Sequence, residues 1–288
     1  MNAGNRGQLA GASNVWEAMR NEAARRSQEE PMLGSFYHAT ILNHDNFSAA
    51  LSFRLASKLD SPMLPSMLTR EVIDAAIAAD PALVKAAEID ILAINTRDPA
   101  CEDFSTPFLY FKGWHALQAH RIAHWLWKQN RTALALYIQS QVSANLGVDI
   151  HPAARIGCGI MLDHATGIVI GETAVVEDDV SILHSVTLGG TGKETGDRHP
   201  KIRQGVLLAA GCKVIGNIEV GQGAKVGAGS VVLEDVPPHV TVAGVPARIV
   251  GTPAVHYPAL AMDQALDSKP YREIRYPVGA ASSRDWCI

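Results

Sequence analysis

The sequence predicts an α+β protein in which an all-helical N-terminal domain precedes a parallel β-helix of hexapeptide repeats. Two observations support this fold class. Apolar residues recur at helical spacing as far as about Leu146, and after Gly147 an aliphatic residue recurs at every sixth position. The chain has 288 residues, more than the roughly 100–200 residues usual for one domain, so two domains are expected.

The composition excludes several classes of partner and location. Charged residues make up 19% of the chain and the formal net charge is −4, which gives no electrostatic reason to expect nucleic acid or an anionic membrane. There is no signal-peptide pattern and no apolar run near the roughly 20 residues that span a bilayer. The four cysteines lack CxxC spacing, which is typical of reduced thiols. We therefore expect a soluble, cytoplasmic protein.

The helical half is expected to have two parts. Residues 1–30 are polar and predict a disordered arm with at most a short helix between Trp16 and Arg26. Residues 31–146 predict the helical domain, in which apolar side chains recur on one helix face. An N-cap oxygen ahead of a proline, which is typical of a helix start, occurs three times, at Asp80, Asp98 and Thr106.

Residues 147–250 predict the β-helix, and residues 251–288 a C-terminal tail. The aliphatic positions are Ile150, Ile156, Leu162 and Ile168, then, after a shift of two residues, Ile170, Val176, Ile182 and Leu188, and later Leu208, Val214, Val220, Val226 and Val232. Three hexads make one triangular coil, with the aliphatic side chains stacked inside. Neighbouring coils are then about 4.8 Å apart, as in any sheet.

A polar, glycine-rich stretch interrupts the repeat over residues 189–205. It is too long for a corner, so we expect it to protrude as a loop, where binding residues tend to lie. Its side chains Lys193, Arg198 and His199 suit a carboxylate or a phosphate. On the residues alone, a solvated loop without a binding role stays an open alternative.

His164 is the main candidate for catalysis. The hexad pattern has no structural need for an imidazole at this position, although a merely exposed corner histidine remains the alternative. Asp149 lies fifteen residues earlier, close to the same corner of the neighbouring coil, where a carboxylate could hold one ring nitrogen and leave the other as a base. Acyl transfer to a hydroxyl needs such a base and a donor for the oxyanion.

The other histidines are weaker candidates. His120 and His124 share a helix face without a carboxylate motif nearby, which favours a structural role. His151 and His184 could form a metal site with His164, as in gamma-class carbonic anhydrases, but their spacing differs from the ligand pattern of that family. We therefore predict no metal and no permanently bound cofactor.

Several segments resemble the serine O-acetyltransferase family. They are DIHPAARIGCGIMLDHATGIVIGETAVV, SVTLGGTG, GDRHPKI, GNIEVGQGAKVGAGSVV and AGVPARIVG in the repeat region, and ILNHDNFSAALSFRLASKL, STPFLYFKGWHALQAHRIAHWLW and QVSANLGVDIHP in the helical half. The resemblance covers about residues 35–255, whereas a general hexapeptide enzyme would match only the repeat. It implies a left-handed β-helix and transfer of an acetyl group from acetyl-CoA to L-serine, the first step of cysteine biosynthesis.

The resemblance also implies roles for individual residues. His164 would take the proton from the serine hydroxyl, with Asp149 orienting the imidazole. The serine pocket would be lined by Asp98, Asp163, Arg198 and His199, of which the last two meet the serine carboxylate. Acetyl-CoA, the co-substrate, would lie between subunits along Ala210, Gly211 and Ala228, with Lys225 close to its phosphates.

Regulation and partners are implied in the same way. L-Cysteine would inhibit in the serine pocket, and the chains would form homotrimers, alone or paired as a dimer of trimers. The carboxylate of Ile288 would bind O-acetylserine sulfhydrylase, although Trp286 and Cys287 depart from the usual tail. On the residues alone, three alternatives stay open: an acetyltransferase for another hydroxyl acceptor, a metal-dependent hydratase and a structural subunit.

Overall fold

The computed structural model describes residues 15–193 and 195–266. Helix gives way to strand between Leu146 and Val148. The packing divides the chain elsewhere, into two compact units that meet in sequence between Phe111 and Lys112. The last two long helices therefore belong to the same unit as the strands. Residues 1–14 of the predicted arm and residues 267–288 of the predicted tail, with Ile288, lie outside the described residues.

Helices are the only regular secondary structure in the described part of the first unit. Its elements are α1 (Val15–Glu29), α2 (Gly34–Tyr37), α3 (Phe47–Lys58), α4 (Ser66–Ala79), α5 (Ala82–Arg97) and α6 (Ser105–Tyr110), with a 3₁₀ turn at Pro31–Leu33 and a π turn at His38–Leu42. Large apolar side chains from these helices are fully buried, among them Leu55, Ile73 and Phe108. The predicted helical character of this region is confirmed.

Residues 15–29 form a regular helix, which includes the short helix predicted between Trp16 and Arg26 and extends it at both ends. Only three of the residues in α1 are buried, Val15, Met19 and Ala23, and they recur every four residues. An apolar stripe this narrow gives only a weak helical pattern in a mostly polar sequence. The polar side chains also have tertiary contacts, because Glu22 accepts a hydrogen bond from the Ser105 N–H at 2.8 Å.

The predicted helix starts at Asp98 and Thr106 are wrong. Asp98 follows the last residue of α5, and its Oδ1 accepts a hydrogen bond from the Ala100 N–H at 2.8 Å within a turn. The oxygen that caps α6 belongs to Asp103, whose Oδ1 accepts from the Thr106 N–H at 2.8 Å. Asx turns and N-caps share the same local signal, so sequence alone does not separate them.

The second unit contains the long helices α7 (Lys112–Lys128) and α8 (Thr132–Leu146) and all the strands. The strands are β1 (Val148–Ile150), β2 (Arg155–Ile156), β3 (Met161–Asp163), β4 (Ile168–Ile170), β5 (Val175–Val176), β6 (Ser181–Leu183), β7 (Thr187–Gly189), β8 (Lys201–Ile202), β9 (Leu207–Leu208), β10 (Lys213–Ile215), β11 (Glu219–Val220), β12 (Lys225–Val226), β13 (Val231–Val232), β14 (Thr241–Gly244) and β15 (Ala247–Gly251), followed by the short helix α9 (Pro258–Ala261). No helix among the described residues is both long and apolar enough to cross a membrane.

The strands form three walls of a prism, as predicted for a left-handed β-helix. The first wall is β1-β4-β7-β10-β13, the second β2-β5-β8-β11, and the third β3-β6-β9-β12-β14, with β15 added antiparallel to β14. All other pairings are parallel, and predicted aliphatic positions face one another, such as Ile156 with Val176 and Leu162 with Ile182. The repeat therefore builds the core of the prism.

The two-residue shift in the hexapeptide repeat corresponds to a corner that is two residues longer than the same corner of an 18-residue coil. Met161 pairs with Ser181, a spacing of 20 residues, whereas Lys213 pairs with Val231, a spacing of 18. The strands β3 and β4 keep their places in the walls, so the two extra residues lie in the corner between them, residues 163–167. This is the corner that carries His164.

The long interruption ends earlier than predicted. Ser181 pairs with Leu207, a spacing of 26 residues, so this coil holds eight more residues than a coil of 18. The strand β8, however, lies in the second wall between β5 and β11. Ile202 occupies the aliphatic position six residues before Leu208 and is fully buried. Its polar neighbours Lys201 and Arg203 conceal this hexad in the sequence.

The helix α7 packs on the open end of the β-helix, where the first coil has no preceding coil. The Arg121 guanidinium donates to Ile156 O at 3.2 Å and to Gly157 O at 2.7 Å, and His124 Nδ1 lies 2.7 Å from Pro152 O. These side chains satisfy carbonyl groups that have no preceding coil to pair with. The contact gives His124 the structural role that the sequence favours.

Candidate functional site

The corner that carries His164 has an unusual backbone. His164 and Ala165 have φ angles of +54° and +57°, in the left-handed region that residues other than glycine rarely adopt. Two tight turns close the corner, because Asp163 O accepts from the Ala165 N–H at 2.6 Å and His164 O accepts from the Thr166 N–H at 2.8 Å. Each such residue costs about 1–3 kcal/mol, and such residues cluster at functional sites. The His164 side chain is 79% exposed.

The predicted carboxylates hold different positions around this imidazole. Asp163 Oδ1 lies 4.0 Å from His164 Nε2, close enough to stabilise a positive charge on the ring. Asp149, in β1, accepts a hydrogen bond from Gln139 Nε2 of α8 at 2.7 Å. The role of Asp149 in orienting the imidazole stays a prediction.

The following corners stack on the His164 corner in register. The Ser185 N–H donates to Thr166 O at 2.7 Å, the Gly211 N–H to His184 O at 2.9 Å, and the Gly229 N–H to Ala210 O at 2.8 Å. We call this line of corners, residues 163–167, 184–185, 210–211 and 228–229, the imidazole edge. It contains His164 and all three small residues predicted to bind acetyl-CoA.

The small residues leave this edge open. Among the described residues, a Cβ on Gly229 would have no atom within 4 Å, and one on Gly211 would have none closer than 3.9 Å. Their φ angles of +67° and +72° are the reason for glycine here. Because no side chain of the described part of the chain covers the corners at these two positions, a long, narrow ligand can approach the backbone along the edge.

Lys225 has a different environment from the one predicted. Its side chain is buried, and Nζ donates to Ala265 O at 2.5 Å and to Asp263 O at 3.1 Å. The ammonium group thus fastens the chain after α9 to the third wall. Its contact with the phosphates of acetyl-CoA stays a prediction.

Arg198 and His199 lie on another line of corners, between the first and second walls. We call residues 151–154, 171–174 and 196–200 the basic edge. Arg198 donates to Glu172 Oε2 at 2.7 Å, and the backbone N–H groups of Arg198 and His199 both donate to Thr173 Oγ1. The inserted loop is therefore anchored on the preceding coil, not solvated along its whole length.

The state of His199 follows from its surroundings. Burial, followed by the Arg198 guanidinium, lowers the pKa of His199, which favours the neutral ring. The Thr173 N–H donates to Nδ1 at 3.2 Å, so the proton of the neutral ring is on Nε2. The ring lies against Gly171, where a Cβ would be 2.0 Å from Cδ2. His199 is thereby a fixed neutral donor.

The two edges are separated within one chain. The first wall lies between them, and the five steps from Thr166 to Gly171 span about 16 Å at 3.3 Å per residue. An arginine side chain does not cross this distance. Among the described residues, no group of three or more His, Cys, Asp or Glu side chains is arranged to hold a metal ion.

Both parts of the chain match known proteins. Residues 15–119 match the family model for the N-terminal part of serine acetyltransferase, and residues 199–234 match the six-repeat bacterial transferase hexapeptide model. A serine acetyltransferase of Salmonella typhimurium is 64% identical over 250 residues, which are 87% of this chain and 92% of the relative. The chain belongs to the serine acetyltransferase family.

Solved structures of serine acetyltransferases share this fold. One in complex with cysteine has a TM-score of 0.87 and 56% identity, over 88% of this chain and 99% of that one. One from Brucella abortus in complex with coenzyme A has a TM-score of 0.82 and 55% identity, over 83% of this chain and 95% of that one. The family resemblance that the sequence motifs indicate is confirmed.

For a serine acetyltransferase, the described structure gives some predicted residues a common location and leaves others as predictions. His164, Asp163, Ala210, Gly211 and Ala228 share the imidazole edge. Asp98 belongs to the first unit, half-buried at the end of α5. Sequence reasoning missed Glu172 and Thr173, which hold Arg198 and His199. Their only signal is that their hexad corner precedes the interrupted coil.

Proposed function

We propose that this serine acetyltransferase transfers the acetyl group of acetyl-CoA to the hydroxyl of L-serine, giving O-acetyl-L-serine and CoA. The observation that carries the proposal is the imidazole edge, where an exposed imidazole and open backbone corners lie in one line. The curated relative at 64% identity and the relative solved with coenzyme A support the same activity.

The reaction needs one base and one acid, and His164 serves as both. Its neutral imidazole takes the proton of the serine hydroxyl while the hydroxyl oxygen attacks the thioester carbonyl carbon. Asp163 at 4.0 Å stabilises the imidazolium. The tetrahedral intermediate then expels the CoA sulfur, which takes that proton from His164. A positioned base of this kind contributes about 10²–10⁴ to the rate.

The basic edge supplies recognition of the amino acid. Arg198 keeps guanidinium N–H groups beyond the two that donate to Glu172 Oε2 and Gly196 O, and a carboxylate is their natural partner. His199 offers its Nε2 proton to the same carboxylate. Asp163 lines the remaining pocket, and the role of Asp98 stays a prediction of the family resemblance. A hydroxyl compound without a carboxylate would give the remaining guanidinium N–H groups no acceptor, which favours L-serine over sugar acceptors.

A complete site takes one edge from each of two chains. The imidazole edge and the basic edge lie about 16 Å apart in one chain, so they meet only when the basic edge of a neighbour faces the imidazole edge. Closed cyclic symmetry then makes every site equivalent, and a triangular prism suits a homotrimer. Trimers paired into hexamers contain the same sites.

L-Cysteine is the inhibitor. It has the same carboxylate and ammonium groups as L-serine and differs by a thiol in place of the hydroxyl, so it fits the same pocket. The relative solved with cysteine supports this assignment. Inhibition by cysteine makes the enzyme the regulated first step of cysteine biosynthesis. We place the enzyme in the cytoplasm, with Ile288 binding O-acetylserine sulfhydrylase.

Thiol release from acetyl-CoA tests the proposal. We expect release of CoA with L-serine, strong inhibition by micromolar L-cysteine, and little release with serine amide, which keeps the hydroxyl but lacks the carboxylate. A galactoside acceptor serves as the control for a general hexapeptide acetyltransferase. Release that ignores L-serine but depends on the galactoside would overturn the assignment.

A further inference from the structure

The His164 corner is held from outside by the first turn of α7. The ideal Cβ position of Gly113 lies 2.1 Å from Leu162 O and 3.0 Å from the Ala165 Cβ, so no side chain fits between the helix and the corner. Gly113 has an ordinary helical φ, and its need for glycine is therefore one of space. The backbone of α7 contacts the corner directly.

The other side of this contact is Ala165. Its side chain is fully buried although the neighbouring His164 side chain is 79% exposed. Ala165 adopts a φ of +57°, which glycine would adopt without strain, and yet a methyl group is present. That methyl group fills the space beside Gly113. In addition, Lys112 Nζ donates to Thr166 Oγ1, so α7 also holds the far side of the corner.

We propose that Gly113 is a positioning residue for His164. Because Gly113 has no side chain, α7 packs directly against the Ala165 methyl group. The packed Ala165 then fixes the direction in which the adjacent imidazole projects from the strained corner. The inference rests on the proposed role of His164 as the base. Gly113 itself touches no substrate, and its effect passes through the corner backbone.

The substitution Gly113→Ala is the direct test. Its Cβ cannot fit 2.1 Å from a carbonyl oxygen, so the helix or the corner must shift. A displacement of this order lowers the rate about 10- to 100-fold. We expect kcat, counted per acetyl-CoA-binding site, to fall by that factor while the KM for acetyl-CoA stays within about twofold, because Ala210, Gly211 and Ala228 lie on later coils.

Gly157→Ala is the matched control. A Cβ at Gly157 would lie 2.2 Å from Asp178 Oδ1 and 2.9 Å from the Asp178 backbone nitrogen, so it also clashes with backbone, on the same coil but at another corner. We expect this variant to be destabilised to a similar degree and to keep the kcat of the parent per binding site. Equal losses of kcat in the two variants would show a general packing effect and overturn the proposal.

Ala165→Gly covers the case in which Gly113→Ala does not fold. Glycine relieves the left-handed φ but removes the seated methyl, so the variant should fold at least as stably and still lose kcat about 10-fold. A structural role alone would predict no loss. A kcat equal to that of the parent would contradict the proposal.

A double-mutant cycle with His164→Ala tests whether the effect of Gly113 depends on the imidazole. If Gly113 acts through the imidazole, Gly113→Ala or Ala165→Gly should cause no further loss of the residual rate of His164→Ala. If the losses of rate multiply when either substitution is combined with His164→Ala, the proposal is overturned. Failure of the proposed function looks different, because the parent enzyme would then release no CoA with L-serine.

Discussion

The imidazole edge and the basic edge depart from the same repeat in different ways. The imidazole edge departs through its backbone, with two extra residues, three left-handed non-glycine residues and open glycine corners. The basic edge departs through a long insertion that packs on the preceding coil by side-chain hydrogen bonds. A regular hexad makes a wall, and chemistry enters where the hexad is broken.

The largest expected effect lies on the imidazole edge. His164→Ala should lower kcat by about 10²–10⁴ because the base is lost, while acetyl-CoA still binds. His184→Ala is the matched control, since that exposed ring lies 6.4 Å from the His164 ring on the same edge. We expect it to lose less than about tenfold. Thiol release and calorimetric binding measure both, and an unaltered rate in His164→Ala would remove the mechanism.

A smaller and different effect is expected on the basic edge. Arg198→Ala should raise the KM for L-serine about 10- to 100-fold, the value of a charge-assisted hydrogen bond, with the KM for acetyl-CoA unchanged. Arg203→Ala removes another guanidinium, which pairs with Glu177 and Glu219 on the second wall. As a control, Arg203→Ala should leave the KM for L-serine and the KM for acetyl-CoA unchanged. A change in the KM for acetyl-CoA alone would place Arg198 in the other substrate's site.

Acid should weaken the basic edge before it protonates most carboxylates. Burial lowers the pKa of His199 and of His151, so the folded state resists protonation that the unfolded chain accepts near pH 6.5. Stability should therefore be highest above pH 6.5 and fall as the pH drops toward the folded pKa. In urea titrations, the free energy of unfolding of a His199→Gln variant should depend less steeply on pH than that of the parent. The two slopes should differ by at most about 1.4 kcal/mol per pH unit. An unchanged slope would contradict the assigned neutral state.

The smallest expected effect concerns Arg203, which belongs to neither edge. Arg203 is partly exposed and bridges Glu177 and Glu219, so screening by solvent limits the pair to about 1 kcal/mol or less. Arg203→Ala should lower the free energy of unfolding by that amount, and the loss should shrink in high salt. Chemical denaturation at two salt concentrations measures it. A loss of several kcal/mol would mean that the walls depend on ion pairs more than on their aliphatic core.

Sequence reasoning finds what repeats and what departs from the repeat. The aliphatic positions from Ile150 onward predict the walls, and the two-residue shift marks the His164 corner. It does not find contacts that depend on tertiary packing. The anchoring of Arg198 by Glu172 and the capture of two backbone carbonyls by Lys225 leave no local pattern in the chain.

The most direct test of a shared site is to mix His164→Ala and Arg198→Ala chains. Each variant alone should be nearly inactive at L-serine concentrations below KM. In randomly mixed trimers, about a quarter of the sites combine an intact imidazole edge with an intact basic edge from the neighbour, so about a quarter of the parent activity should return. Co-expressed chains that stay as inactive as either variant would contradict a site built from two chains.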